Sequence, residues 1–223
     1  MHTKRNTKRP SIAPTPSRGR PRAFDRGAAL DRALRLFWSR GFEGTSVADL
    51  TEALNINPPS LYAAFGSKEE LFREAVDLYV RAYGLPIQRA AQEEKTALGA
   101  VERILREAAH LFPAGATPAG CVVSTGLLSC APDHRSIADV VAADRELMVS
   151  LLEQRIAAGK ARGEMLRGAD PANLARYVAA VIQGMSVQAQ DGADEAALLA
   201  IAEIALAAWP SRKAISERRG KPR

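Results

Sequence analysis

Three groups of residues in this 223-residue chain carry side chains able to do chemistry. The first runs from Thr45 to Lys68 and holds hydroxyls and one cation: Thr45, Ser46, Ser60, Tyr62 and Lys68. Hydroxyl donors and an ammonium are groups that hold the phosphate oxygens of a nucleic acid. The second is Cys121, with Cys130 further along. A thiol at a helix N-terminus has a lowered pKa and serves as an electrophile or oxidant sensor; a buried structural thiol is the competing reading. If one helix carried both cysteines they would stand about 13.5 Å apart and half a turn out of phase, which forbids a disulfide. The third group is His2, His110 and His134. They lie far apart with no Cys or His at metal-ligand spacing, so no metal site is expected. The chain has no G-x-S-x-G, no HExxH, no phosphate-binding glycine loop and no paired carboxylates with a partner base. Ser124, Ser129, Cys121 and His134 are near one another but in no triad order. No enzyme is expected and no cofactor is implied.

Charge is distributed unevenly. Residues 1–22 hold seven Lys and Arg and no acid; residues 211–223 hold six against Glu217; the body between is net acidic although the whole chain is +6. Basic arms of this kind reach for a polyanion, or act as solvated tails. Pro10, Pro14, Pro16 and Pro21 break the amphipathic helix that an organelle transit peptide needs. The longest mainly apolar stretch, Ala196 to Trp209, contains Glu203 and is too short to span a bilayer. No apolar stretch follows the basic N-terminus, so no secretory signal and no membrane partner are expected, and the location implied is cytoplasmic. Two cysteines exclude a disulfide scaffold, and 5% aromatics with abundant Ala, Leu, Arg and Glu favour helix over sheet.

The elements that must position these groups read as helices throughout. Asp25 to Arg40 carries Leu30, Ala33, Leu34, Phe37 and Trp38 at helical spacing, with Asp25 as cap and Gly41 as a left-handed end. Thr45 or Ser46 caps a short second helix, and Ser46-x-x-Asp49 approaches a capping box. Asn55 stands at the turn and tolerates positive φ. Pro58 and Pro59 fit only the first turn of a third helix, which Gly66 ends. Ser67-x-x-Glu70 opens a fourth. Further helices are expected at about 98–112, 121–130, 136–161, 171–190 and 194–209. Two short helices meeting at a tight turn, 45–65, have helix-turn-helix geometry, in which the second helix can enter a major groove. A plain core corner has the same outline.

The run from Gly19 to Tyr79 resembles the DNA-binding domain of the tetracycline-repressor (TetR/AcrR) family of bacterial transcriptional regulators. The matching pieces are Leu36-Phe37 to Gly41-Phe42, the Thr45-Ser46-Val47 cap, Leu61-Tyr62 with Phe65, and Ser67-Lys68-Glu69-x-Leu71. The resemblance implies an all-α fold: an N-terminal three-helix helix-turn-helix head and a C-terminal helical ligand-binding and dimerisation domain. It implies a flexible basic arm at 1–21, a head at 22–82, a second domain at 83–210 and a basic tail at 211–223. It implies a ligand-responsive regulator, a repressor released from a palindromic double-stranded operator by a small-molecule effector. The helix-turn-helix maps to Ser46–Phe65. The implied DNA contacts are Arg20, Arg22, Thr45, Ser46, Pro59, Ser60, Leu61, Tyr62 and Lys68, with Arg18 also in the arm and Tyr62 and Lys68 on phosphate. Two departures stand out: Asn55 replaces a frequent Gly, and Pro58 replaces an Arg or polar residue, which removes a donor from base reading.

The second half carries architecture only. Helices 171–190 and 194–209 show little polar surface, and the last is apolar nearly all round, so it must be buried on all sides. A two-fold homodimer pairing these helices into a four-helix bundle would do this, as would a central helix in a monomer. A pocket is expected among the helices at 98–112, 121–130, 136–161 and 171–190. Its candidate lining residues are Leu105, Phe112, Cys121, Leu127, Met148, Leu152, Tyr177 and Met185, each of which could equally be core. With no acid or base cluster among them, the ligand expected is apolar or weakly polar. A small-molecule-binding protein that has lost DNA binding is the rival reading.

Overall fold

The structure, a computed structural model, describes residues 24–84, 89–90 and 92–210. The expectations for Arg18, Arg20, Arg22 and the tail 211–223 lie outside these residues. α1 (Arg26–Arg40) begins where the Asp25 carboxylate accepts the Ala28 N–H at 3.0 Å. α2 (Val47–Leu54) opens on a complete capping box between Ser46 and Asp49. It ends at Asn55 in the left-handed region, φ 54 and ψ 49. α3 (Pro58–Phe65) is capped by Asn57, and its two prolines occupy the first turn, where no amide is missed. α4 (Lys68–Tyr83) starts under the Ser67 hydroxyl, which accepts from the Glu70 amide. Then follow α5 (Ala97–Leu111), α6 (Val122–Thr125), a 3-10 turn (Pro132–His134), α7 (Arg135–Ala161), α8 (Pro171–Gln190) and α9 (Glu195–Ala207). Among the described residues there is no strand.

Two apolar cores organise these helices. The first is aromatic: Phe37 meets Phe72 edge-on at 5.0 Å and Phe42 packs on Phe72 at 5.1 Å, with Leu34, Leu50, Leu54, Leu61 and Leu71 around them. Val122, Leu127, Ile137 and Val141 belong to this same core. The packing therefore crosses the boundary expected at residue 82. The second core joins α5, α7, α8 and α9 through Ile104, Leu152, Ile156, Met185 and Leu198.

Two local expectations are corrected. Gly41 ends α1 with positive φ but extended ψ (71, 175), so it is not a left-handed cap. The helix expected over 121–130 is one turn only. Gly126 closes it by donating to the Val122 carbonyl, and the Gly126 carbonyl then accepts the Phe42 N–H at 2.9 Å. That bond to the end of α1 turns the chain away from the helix axis, and turns fill 126–129. Its own chain does not cover α9 on all sides: Leu198, Ala202 and Ala205 are buried, but Ile204 is 73% exposed, which disfavours the central-helix alternative and leaves this face to a partner subunit.

Candidate nucleic-acid interface and internal cavity

α3 is fixed from both ends. Asn57 Oδ1 accepts the Ser60 N–H at 2.9 Å, and Leu61 and Phe65 anchor the helix in the aromatic core. This leaves Pro58, Pro59, Ser60, Tyr62 and Ala63 on the outside. Tyr62 is 47% exposed, a large side chain held out from the surface. The sequence candidates do not all share this face. Thr45 is fully buried and its hydroxyl donates to the Gly41 carbonyl at 2.7 Å, so it has no side-chain surface to offer a nucleic acid. Leu61 is equally buried because it is the core contact that seats α3. Ser46 is exposed, but its hydroxyl is committed to the capping box. Lys68 is half-buried, with Nζ 4.1 Å from the centroid of the Phe42 ring. Burial lowers its pKa from the ordinary lysine value, against the opposing charges of Glu43 and Glu69. Its ammonium must leave the ring to reach a phosphate.

The head is bolted to the rest of the chain by the segment 116–134. Trp38 Nε1 donates to the Gly120 carbonyl at 3.0 Å and Arg35 to the Ala116 carbonyl at 2.7 Å. Gly120 has φ 76, and a Cβ there would stand 2.8 Å from the Ser186 carbonyl oxygen, so only glycine fits. The Cys121 N–H donates to Ser186 Oγ at 2.8 Å. Lower down, the Glu43 carboxylate accepts from the Ala131 N–H and lies 2.9 Å from His134 Nδ1. The His134 hydrogen bond, then the Ala131 amide, hold the Glu43 pKa below its usual value. His134 Nε2 faces Glu69 at 3.6 Å, and its ring packs edge-on against Phe42 at 4.9 Å.

Behind this junction lies a mainly apolar cavity of about 130 Å³. α4 walls it with Tyr79, Val80 and Tyr83; the end of α5 with Leu111 and Phe112; the 121–124 segment with Cys121, Val123 and Ser124. α7 contributes Asp144, Arg145, Leu147, Met148 and Leu151, and α8 contributes Ala179, Ile182 and Gln183. Burial, then the neighbouring Asp77, raise the Asp144 pKa, with Arg145 opposing. Burial pushes the Tyr79 hydroxyl well above the ordinary tyrosine value, and the neighbouring Cys121 adds to the rise. The Arg145 guanidinium donates to the Val123 carbonyl at 2.9 Å.

Of the eight sequence candidates for a pocket, Phe112, Cys121 and Met148 meet at this cavity. Leu105, Leu152 and Met185 are buried in the second core, and Leu127 in the aromatic core. Tyr177 is 40% exposed, because the inward positions of α8 are Ala175, Val178, Ala179, Ile182 and Met185. Sequence reasoning missed the α4 wall. The signal was present as Tyr79 and Tyr83 one turn apart, but Tyr79 reads equally well as part of the head core. Cys121 precedes a helix of one turn and not a long one, so the dipole argument for its acidity loses its basis. Among the described residues no three metal-ligating side chains come together, and no helix is long and apolar enough to cross a membrane.

Comparison with known proteins places this geometry in a familiar setting. The sequence model of bacterial regulatory proteins of the tetR family matches residues 29–75. The chain is 39% identical to the HTH-type transcriptional repressor ComR of Escherichia coli K12, over 87% of this chain and 93% of ComR. It is also 39% identical to the repressor BdcR of the same strain, over 59% of this chain and 65% of BdcR. Among solved structures, a cysteine mutant of the TetR family regulator CifR bound to 26-base-pair operator DNA superposes with a TM-score of 0.81 at 43% identity. That match covers 86% of this chain and all (100%) of CifR.

Proposed function

This chain belongs to the tetR family of bacterial regulatory proteins, and from that membership we propose a cytoplasmic transcriptional repressor released from its operator by a small, mainly apolar molecule. The working unit is a homodimer joined through α8 and α9. Ser60 and Tyr62 face DNA from α3, and the basic residues of 1–22, Arg20 and Arg22 among them, add attraction to the phosphates. The observation that carries the reading is that α4 belongs to both halves. Its Phe72 sits in the aromatic core beneath α3, and its Tyr79, Val80 and Tyr83 line the cavity. A ligand that fills the cavity better in one position of α4 than in another shifts the head with it; it acts only through that difference in affinity.

Cavity size and chemistry narrow the ligand. An apolar cavity of roughly 150 Å³ takes a benzene-sized molecule, so the enclosed part of the effector is small. Among the described wall residues the one guanidinium, Arg145, donates to the Val123 carbonyl and interacts with the neighbouring Asp144 carboxyl on the same wall, so the cationic and acidic groups of the lining are set against each other. An uncharged molecule with one polar group, placed against Tyr79, Cys121 or Gln183, fits best.

The test is a fluorescence-polarisation titration of DNA from upstream of the chain's own gene, at low and moderate salt, with the full chain and with a chain lacking residues 1–22. Specific binding to a palindrome is expected, with affinity falling steeply as salt rises and a shallower slope after truncation, since each phosphate neutralised contributes about −0.9 to the log–log slope. Equal affinity for random DNA would defeat the proposal.

A further inference from the structure

The helix-turn-helix segment Val47–Phe65 contains no Lys, Arg, His or Gln. In the major groove guanine is read chiefly by bidentate Arg or Lys, and adenine by bidentate Asn or Gln. Neither asparagine of the segment offers an amide oxygen and nitrogen together from α3: Asn55 stands in the turn before it, in the left-handed conformation, and Asn57 has its Oδ1 committed to capping α3. Thr51 Oγ1 donates back to the Ala48 carbonyl at 2.9 Å. Among the described residues, three nearby cations are engaged within the chain: Arg26 with Glu74 at 2.7 Å, Arg40 with Asp49 at 3.1 Å, Lys68 over Phe42. What α3 exposes is two pyrrolidine rings, one methyl and two hydroxyls, from Pro58, Pro59, Ala63, Ser60 and Tyr62. That surface is apolar and poor in donors. The thymine C5-methyl is the apolar feature that a base pair presents in the major groove.

We propose that α3 reads its operator through thymine methyl groups packed on Pro58, Pro59 and Ala63, with the Ser60 and Tyr62 hydroxyls on flanking phosphates, and without guanine-directed hydrogen bonds. This rests on the operator-binding reading above. The half-sites then carry T·A pairs beneath α3. Discrimination comes from methyl burial and from the sequence-dependent deformability of the duplex, and not from bidentate pairs.

The test uses the full chain and a duplex it recovers from a randomised library. Thymines of the recovered half-sites are replaced by uracil. Uracil keeps the pairing and both hydrogen-bonding edges, and leaves the minor groove unchanged, so only the methyl is lost. Each replacement beneath α3 is expected to weaken binding about fourfold, the equivalent of one buried methyl. The Pro58→Ala/Pro59→Ala double variant should reduce that penalty below twofold, because the methyl then has less to pack on. The uracil arm needs no variant, so a poorly folded double variant leaves the proposal falsifiable. A uracil duplex bound as tightly as the parent, with 7-deazaguanine substitution weakening binding instead, would overturn the inference and leave the repressor reading standing. Failure to recover any sequence in preference to random DNA would overturn the repressor reading, and this inference with it.

Discussion

At the scale of single residues, Asn55 shows how one backbone angle sets the geometry that meets DNA. It is the one described non-glycine residue with positive φ, and it lies between the two helices whose crossing defines the head. Its N–H donates to the Glu52 carbonyl at 3.1 Å, and the Ile56 N–H returns to Thr51 at 3.1 Å, so α2 is closed before α3 begins. Left-handed backbone costs a β-carbon residue about 1–2 kcal/mol, and Asn tolerates it better than most. Asn55→Val should therefore lower stability by about 1–2 kcal/mol, about 2–8 °C in melting temperature for a chain of this size. Asn55→Gly should stay within about 1 kcal/mol of the parent. Differential scanning calorimetry of the two variants checks both. Equal melting temperatures for Val and Gly would mean that the turn does not hold Asn55 left-handed in solution.

At the scale of elements, the junction between head and second core depends on the 3-10 turn before α7. Glu43 receives the Ala131 amide and faces the His134 ring, and these bonds hold its carboxyl below the usual range. A depressed folded pKa adds stability that is complete above the unfolded pKa and is lost as pH falls through the folded value. Glu43→Gln should thus be less stable than the parent at pH 7, by about 0.5–1 kcal/mol for so exposed a pair. The difference should close as pH falls below about 4. Urea denaturation at pH 7 and pH 3.5 reads it; a gap that widens in acid would place the stabilising contact elsewhere. The same junction explains what the sequence could and could not convey. Helices α1 to α4 were legible because their signals are local: Asp25, Ser46, Asn55, Pro58 and Ser67 each cap or break within a few residues. The segment 121–130 was not, because Gly126 is turned aside by the Phe42 amide, far away in sequence. Tyr62 reads correctly as outward, yet Thr45 and Leu61 share its motif and are buried. A motif fixes residue types, whereas packing decides which of them face outward. The cavity was half legible for the same reason: apolar periodicity marks α4, α7 and α8 as buried, but cannot say which core a given face lines.

At the scale of the whole molecule, α8 and α9 leave apolar side chains on the outside of the chain. Ile204 is 73% exposed, with Val187 and Tyr177 about half as much at 41% and 40%. A two-fold axis through such a face brings the same patch against itself, so one substitution acts twice at each interface. Ile204→Glu would set two carboxylates into that contact, and burying an unpaired charge costs several kcal/mol. The side chain is mostly outside its own chain's core, so the fold of each subunit should survive. Light scattering should therefore report a monomer with an unchanged far-ultraviolet circular dichroism spectrum. Operator affinity should fall more than tenfold, because the second head no longer binds at the high effective concentration that the dimer provides. The spacing of half-sites about 34–36 Å apart has meaning only while both heads are held together. An Ile204→Glu chain that stays dimeric, or a monomer that keeps full operator affinity, would move the subunit contact away from α9.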